Sequence, residues 1–283
     1  MRILNLKLLV LFIVGNFIFT SCSNSDTVDL SESISADETI ALVEVDDISD
    51  EVNNVIDDYF AADEQLLSKS EEENKTDVLL TCVTKTIVVT GILKVVTLDF
   101  GDGCELPSGN VLSGKIIMSY SIDPNLLTLT ITYMYENFYF NDIRVEGENI
   151  IVRIRENENG NPQSTLTYNT TLIWSDGVYA SKKGTIVREW AEGYDTRIFG
   201  DNVFLITGNW TVTFSDGTIF FSNIIEPLRR EMACRYIVSG VVELQKLDIK
   251  GMLDFGDGTC DDKAILTNEA GEASEITLTG RMY

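Results

Sequence analysis

Two short stretches carry the densest chemistry in this chain. Leu98-Asp99-Phe100-Gly101-Asp102-Gly103-Cys104 is repeated as Leu253-Asp254-Phe255-Gly256-Asp257-Gly258-Thr259-Cys260. Crowded carboxylates suit a hard cation such as calcium, which takes roughly six to eight oxygens. Asp254, Asp257, Asp261 and Asp262 form the denser cluster and are the calcium candidates, while Asp99, Asp102 and Glu105 form a thinner one. Neither follows the EF-hand pattern of alternating acids, a central Gly and a terminal Glu. The same carboxylates could supply a glycosidase acid/base pair, but nothing in their spacing sets two of them across a cleft. The structural alternative is stronger: Asp beside Gly builds Asx turns, with Gly taking positive φ. We therefore expect turn-forming aspartates, with no metal, no cofactor and no catalytic residues assigned.

Each copy opens on another cysteine, Cys82 before Val89-Thr90-Gly91 and Cys234 before Val238-Ser239-Gly240. The separations within the copies are 22 and 26 residues. Four cysteines allow three connectivities, and the simplest pairs Cys82 with Cys104 and Cys234 with Cys260. The fifth cysteine, Cys22, stands apart near the N-terminus.

Composition removes most other chemistry. The 283 residues contain no histidine, which excludes Ser-His and Cys-His catalysis and imidazole zinc sites. G-x-S-x-G, the P-loop pattern, G-x-G-x-x-G and C-x-x-C are all missing from the sequence. Acids number 45 against 21 bases, a net charge of −24, and that sign repels nucleic acid.

The first 21 residues read as a secretory signal. Arg2 and Lys7 form a basic start, Leu8 to Phe19 an apolar run, and Thr20-Ser21 a small-residue end. The run is too short to span a bilayer as a helix. Small residues followed by Cys22 resemble a bacterial lipobox, with the departure that Phe19 stands where Leu is usual. That resemblance implies acylation of Cys22 and a membrane partner through the N-terminal lipid. Parity agrees, because removing Cys22 leaves an even set of four cysteines for an oxidising compartment.

The elements that position these groups follow in order. Residues 22–45 are acidic and polar and are expected to be a flexible tether. Residues 46–80 are expected to hold a short amphipathic helix and an acidic linker. Ile48, Val52, Val55, Ile56, Tyr59 and Phe60 share one helical face, with Asp47 or Ser49 as the cap. We expect that helix on the edge of the domain. From 81 to 283 the apolar period becomes two: Leu129, Ile131, Tyr133; Leu166, Tyr168, Leu172, Trp174; Trp210, Val212, Phe214. Ser175-Asp176-Gly177-Val178 and Ser215-Asp216-Gly217-Thr218 read as two-residue type I′ hairpins, setting Trp174 opposite Tyr179 and Phe214 opposite Ile219. The fold expected is mostly β: one antiparallel meander of ten to thirteen strands, as a curved sheet, sandwich or open barrel. Its aromatic-rich stretch Tyr133, Tyr135, Phe138, Tyr139 and Phe140 is assigned to the core.

LDFGDGCELPSGNVLSGKIIMSYS, REWAEGYD, VFLITGNW, EPLRREMACRYIVSGVVEL and DFGDGTCDD, taken together, resemble uncharacterised lipoproteins of Bacteroidetes-type, flavobacterial bacteria. The resemblance covers nearly the whole mature chain. It implies an outer-membrane lipoprotein of the cell envelope, on the periplasmic or surface face, with no assigned activity. The function expected is a binding or structural role with a glycan or protein partner. The alternative is a carboxylate-based, calcium-dependent polysaccharide hydrolase resting on the Asp clusters.

Overall fold

The computed structural model describes residues 33–68, 82–106, 109–123, 128–196 and 198–278. All of them belong to one compact unit, residues 32–283. The signal segment, Cys22, the start of the tether and the stretch 69–81 lie outside the described residues.

One helix, α1 (Ala36–Ser68), precedes fourteen strands. They are β1 (Thr84–Thr90), β2 (Leu93–Asp99), β3 (Cys104–Glu105), β4 (Val111–Ser121) and β5 (Thr128–Phe140). Next come β6 (Ile143–Ile154), β7 (Gln163–Ile173), β8 (Tyr179–Glu192), β9 (Val203–Phe214) and β10 (Ile219–Glu231). The last four are β11 (Ile237–Lys246), β12 (Ile249–Asp257), β13 (Lys263–Asn268) and β14 (Ala273–Thr277). All pair antiparallel into one sheet in chain order, β1-β2-β4 and so on to β14, with β3 folded back on β4. The expected meander is present, as a single open curved sheet.

The helix is longer than expected and lies elsewhere. Its start is fixed by a capping box, Ser35-Ala36-Asp37-Glu38: Glu38 N–H donates to Ser35 Oγ at 3.2 Å, and Ser35 N–H to Glu38 Oε2 at 2.9 Å. The Asp47 or Ser49 cap is thereby corrected, and residues 36–45 are helical, not tether. Leu42 and Val45 are buried in this added part. Ile48, Val52, Ile56, Tyr59 and Phe60 are buried as their spacing predicts. They pack in the main core and not at its edge, because nearly every strand presents its apolar face to the helix.

Polar contacts show how far the sheet curls. Glu38 meets Lys246 on β11, and the Lys85 ammonium on β1 stands 5.9 Å from the Tyr59 ring. These helix positions are about 32 Å apart along the axis. Strands β1 and β11 would be roughly 43 Å apart in a flat sheet. Side-chain reach could span that difference, but α1 also packs on β14, roughly 58 Å from β1 in a flat sheet, so the sheet bends around the helix.

Strand parity survives a bulge where the aromatics crowd. Ile131 and Tyr133 are buried, and so are Phe138 and Phe140, with a register shift between Met134 and Phe138. The extra residue, with Asn137 at φ 46°, returns the second pair to the inner face.

The two Asp-Gly hairpins differ from expectation in turn type. Trp174 N–H donates to Val178 O at 2.9 Å, and Gly177 N–H to Trp174 O at 3.0 Å, closing a three-residue loop. Phe214, Gly217 and Thr218 repeat this arrangement. Each is a type I turn with a Gly bulge, so only Gly177 (φ 87°) and Gly217 (φ 90°) need the left-handed region. The Asp is released to accept from the N–H two residues on. Ile173, not Trp174, therefore pairs with Tyr179, and Thr213, not Phe214, pairs with Ile219.

Candidate functional site

The repeated motifs build disulfides and turns. Cys82–Cys104 and Cys234–Cys260 are disulfides, with Cα–Cα distances of 5.5 and 5.8 Å. Two such bonds mark an extracytoplasmic protein. Among the described residues no helix is long and apolar enough to cross a membrane.

The aspartates behave as turn-formers. Asp99 Oδ1 accepts from Gly101 N–H and Asp254 Oδ1 from Gly256 N–H, both at 2.9 Å. Asp261 accepts from Lys263 N–H at 3.0 Å. Asp257 accepts from both the hydroxyl and the N–H of Thr259, which hold its carboxyl below the usual carboxylate range. The Asp262 backbone carbonyl accepts from Leu278 N–H. Among the described residues no three Cys, Asp or Glu side chains converge as a metal would require.

Polar chemistry concentrates elsewhere, along one stripe of α1 facing the sheet. Lys182 Nζ lies 2.7 Å from Asp46 Oδ1. Tyr168 donates its hydroxyl to Asp50 Oδ1 and accepts from Asn53 Nδ2, each at 2.9 Å. Tyr133 O–H donates to Asn53 Oδ1. Arg188 Nη1 meets Asp57 Oδ2 at 2.6 Å, and Arg153 stands 3.7 Å from the other oxygen. Asp46, Asp50, Asn53 and Asp57 follow helical spacing, so they form one ladder beside the apolar face. Their strand partners sit on inward-facing positions that alternate with apolar residues, as Lys182 does between Ala180 and Ile186.

The ladder ends at a cavity between the first half of α1 and strands β8 to β12. It offers about 70 Å³ of space to the centres of water molecules. Leu42 and Val43 form the helix wall; Ile186, Ile206, Leu228 and Leu253 are among the apolar residues opposite. Asp46, Asp47 and Asp50 line it from the helix, and Lys182, Trp210 and Arg230 from the sheet.

Lys182 is 3% exposed, with its ammonium 4.3 Å from the Tyr168 ring centre and 5.0 Å from that of Trp210. Cation–π attraction adds to the ion pair there. Burial raises the Asp46 carboxyl to about 6, outweighing the pull of Lys182. Burial, with Asp50 beside it, also lifts the Tyr168 hydroxyl well above its ordinary value, and burial does the same at Tyr133, so both stay protonated donors. At the start of α1, burial works against Glu38, yet bonds from Lys246 and Ser35 hold its carboxyl low.

A cavity with apolar walls and a few converging polar groups can hold a small molecule. The carboxylates of the DFGDG clusters are not among its lining residues, although Phe255 of the second copy is. The residues that are, Asp46, Asp50 and Lys182, were signalled only by acids running beside the apolar helix face and by bases on inward strand positions. No family model, curated protein or solved structure matches the chain.

Proposed function

We propose that this chain is an envelope lipoprotein, anchored through Cys22, whose β body binds a small apolar ligand without transforming it. The observation that carries the reading is the cavity between α1 and β8–β12, walled by aliphatic side chains. The two disulfides support an extracytoplasmic setting. The lipobox-like end of the signal segment and the resemblance to flavobacterial lipoproteins support the outer membrane.

The hydrolase alternative loses its original support, because the DFGDG carboxylates are engaged in turns. It would have to use Asp46, the cavity carboxylate raised to about 6. That group is already paired with Lys182.

Native mass spectrometry of the chain extracted from its own membranes tests the proposal. The expected result is a co-bound small molecule that disappears when Leu228→Trp fills the cavity. A bare mass for the unaltered chain refutes ligand binding. Cys22→Ala is expected to move the chain from the membrane to the soluble fraction, and its retention in membranes would overturn the anchor.

A further inference from the structure

Resting on that ligand-binding reading, we infer that the cavity takes an apolar carboxylic acid of about eight carbons, its head against Trp210, Lys182 and Arg230. The first ground is an unanswered donor. Trp210 lines the cavity, and its indole N–H is buried with no hydrogen-bond partner. Leaving such a donor unmet costs about 1–3 kcal/mol, so the site calls for an acceptor oxygen from outside the protein.

The second ground is the company that donor keeps. Lys182 and Arg230 line the same cavity and are 3% and 1% exposed. Both side chains donate hydrogen bonds and accept none. A neutral alcohol or amide oxygen offers two lone pairs and no charge. A carboxylate has lone pairs enough for several donors, and bonds to charged partners are about twice as strong. An amine head would compete with Lys182 for Asp46 and with the Tyr168 hydroxyl for Asp50, whereas Lys182 carries three N–H donors, more than its pair with Asp46 uses.

Size sets the tail. The roughly 70 Å³ open to water centres has room for several waters. That is about the bulk of an eight-carbon chain. The aliphatic walls offer it no hydrogen bond, which suits a saturated tail.

Calorimetric titration of the full chain with octanoate, octanol and octylamine decides the matter. Octanoate is expected to bind about ten-fold more tightly than octanol, and octylamine most weakly. Lys182→Met is expected to cut octanoate affinity about ten-fold and octanol affinity less than two-fold. Trp210→Phe keeps the ring and weakens both ligands; it decides the question if Lys182→Met does not fold. Octanol binding as tightly as octanoate, or octylamine binding tightest, overturns the head assignment and leaves the apolar site standing. Failure of all three ligands to bind sinks the ligand-binding reading as well. Octanoate binding that survives Leu228→Trp overturns the location.

Discussion

Asp46 offers the sharpest test of the buried ladder, because its ionisation is opposed by the fold that contains it. Its carboxyl titrates near pH 6 in the folded chain, against an ordinary value of 3.8. A folded pKa above the unfolded one means that the native state binds the proton more tightly. The penalty for keeping Asp46 ionised is therefore full above pH 6 and is relieved as the pH falls toward 4. Integrated between pH 7.5 and 4.5, the relief amounts to about 2 kcal/mol. Every other acid titrates over the same range, so the wild-type slope alone cannot isolate it. The comparison is with Asp46→Asn, which keeps the shape and removes the titration. Denaturant unfolding of both chains at pH 7.5, 6.0 and 4.5 is expected to show the wild type gaining about 2 kcal/mol on the variant as the pH falls. In melting temperature that gain is about 4–8 °C for a domain of this size. Parallel pH profiles would refute the reasoning. So would a wild type that loses ground on acidification, since Lys182 would then outweigh burial.

Three further outcomes follow from the same geometry. Tyr133→Phe removes a buried donor to Asn53 and is expected to cost about 1–3 kcal/mol in denaturant unfolding, with little change in far-UV circular dichroism. Gly208→Ala sets a Cβ 2.2 Å from the Thr185 carbonyl oxygen at φ 126°, so it is expected to abolish soluble expression, whereas Gly177→Ala, with no atom within 4 Å, is expected to stay soluble. Asp254→Asn is expected to change stability by less than about 0.5 kcal/mol, because Asn makes the same Asx turn, and a metal chelator is expected to leave melting of the wild type unchanged.

The sheet was legible because its signals are local. Alternation marked Leu166, Tyr168, Leu172 and Trp174 as one face, and the duplicated cysteines had a simplest pairing that the structure adopts. The turn types were missed because Asp-Gly alone does not count the residues in a loop; the closing bond from Trp174 to Val178 does. The helix was misplaced for a deeper reason. Its first ten residues read as acidic tether, and only pairing of its acids with Lys182, Tyr168 and Arg188, more than a hundred residues away, turns them toward the sheet. Sequence periodicity identifies which side of a helix is apolar. It does not say that the other side will meet bases on a curled sheet. The cavity was invisible for the same reason, since its walls are brought together only by that curl.

The order of elements along the chain has a consequence for export. A secreted chain emerges N-terminus first, so α1 arrives before any strand that will cover it. Every later strand then finds its neighbour already present, because pairing follows chain order with β3 the sole side branch among the described strands. The sheet can grow strand by strand over a waiting rod, with few long loops to close. The cavity is different: its lining joins Thr39 from the first helical turn to Leu278 beyond the last strand. Its wall is complete only when nearly the whole chain has crossed the membrane, so the cavity is the last part of the molecule to form.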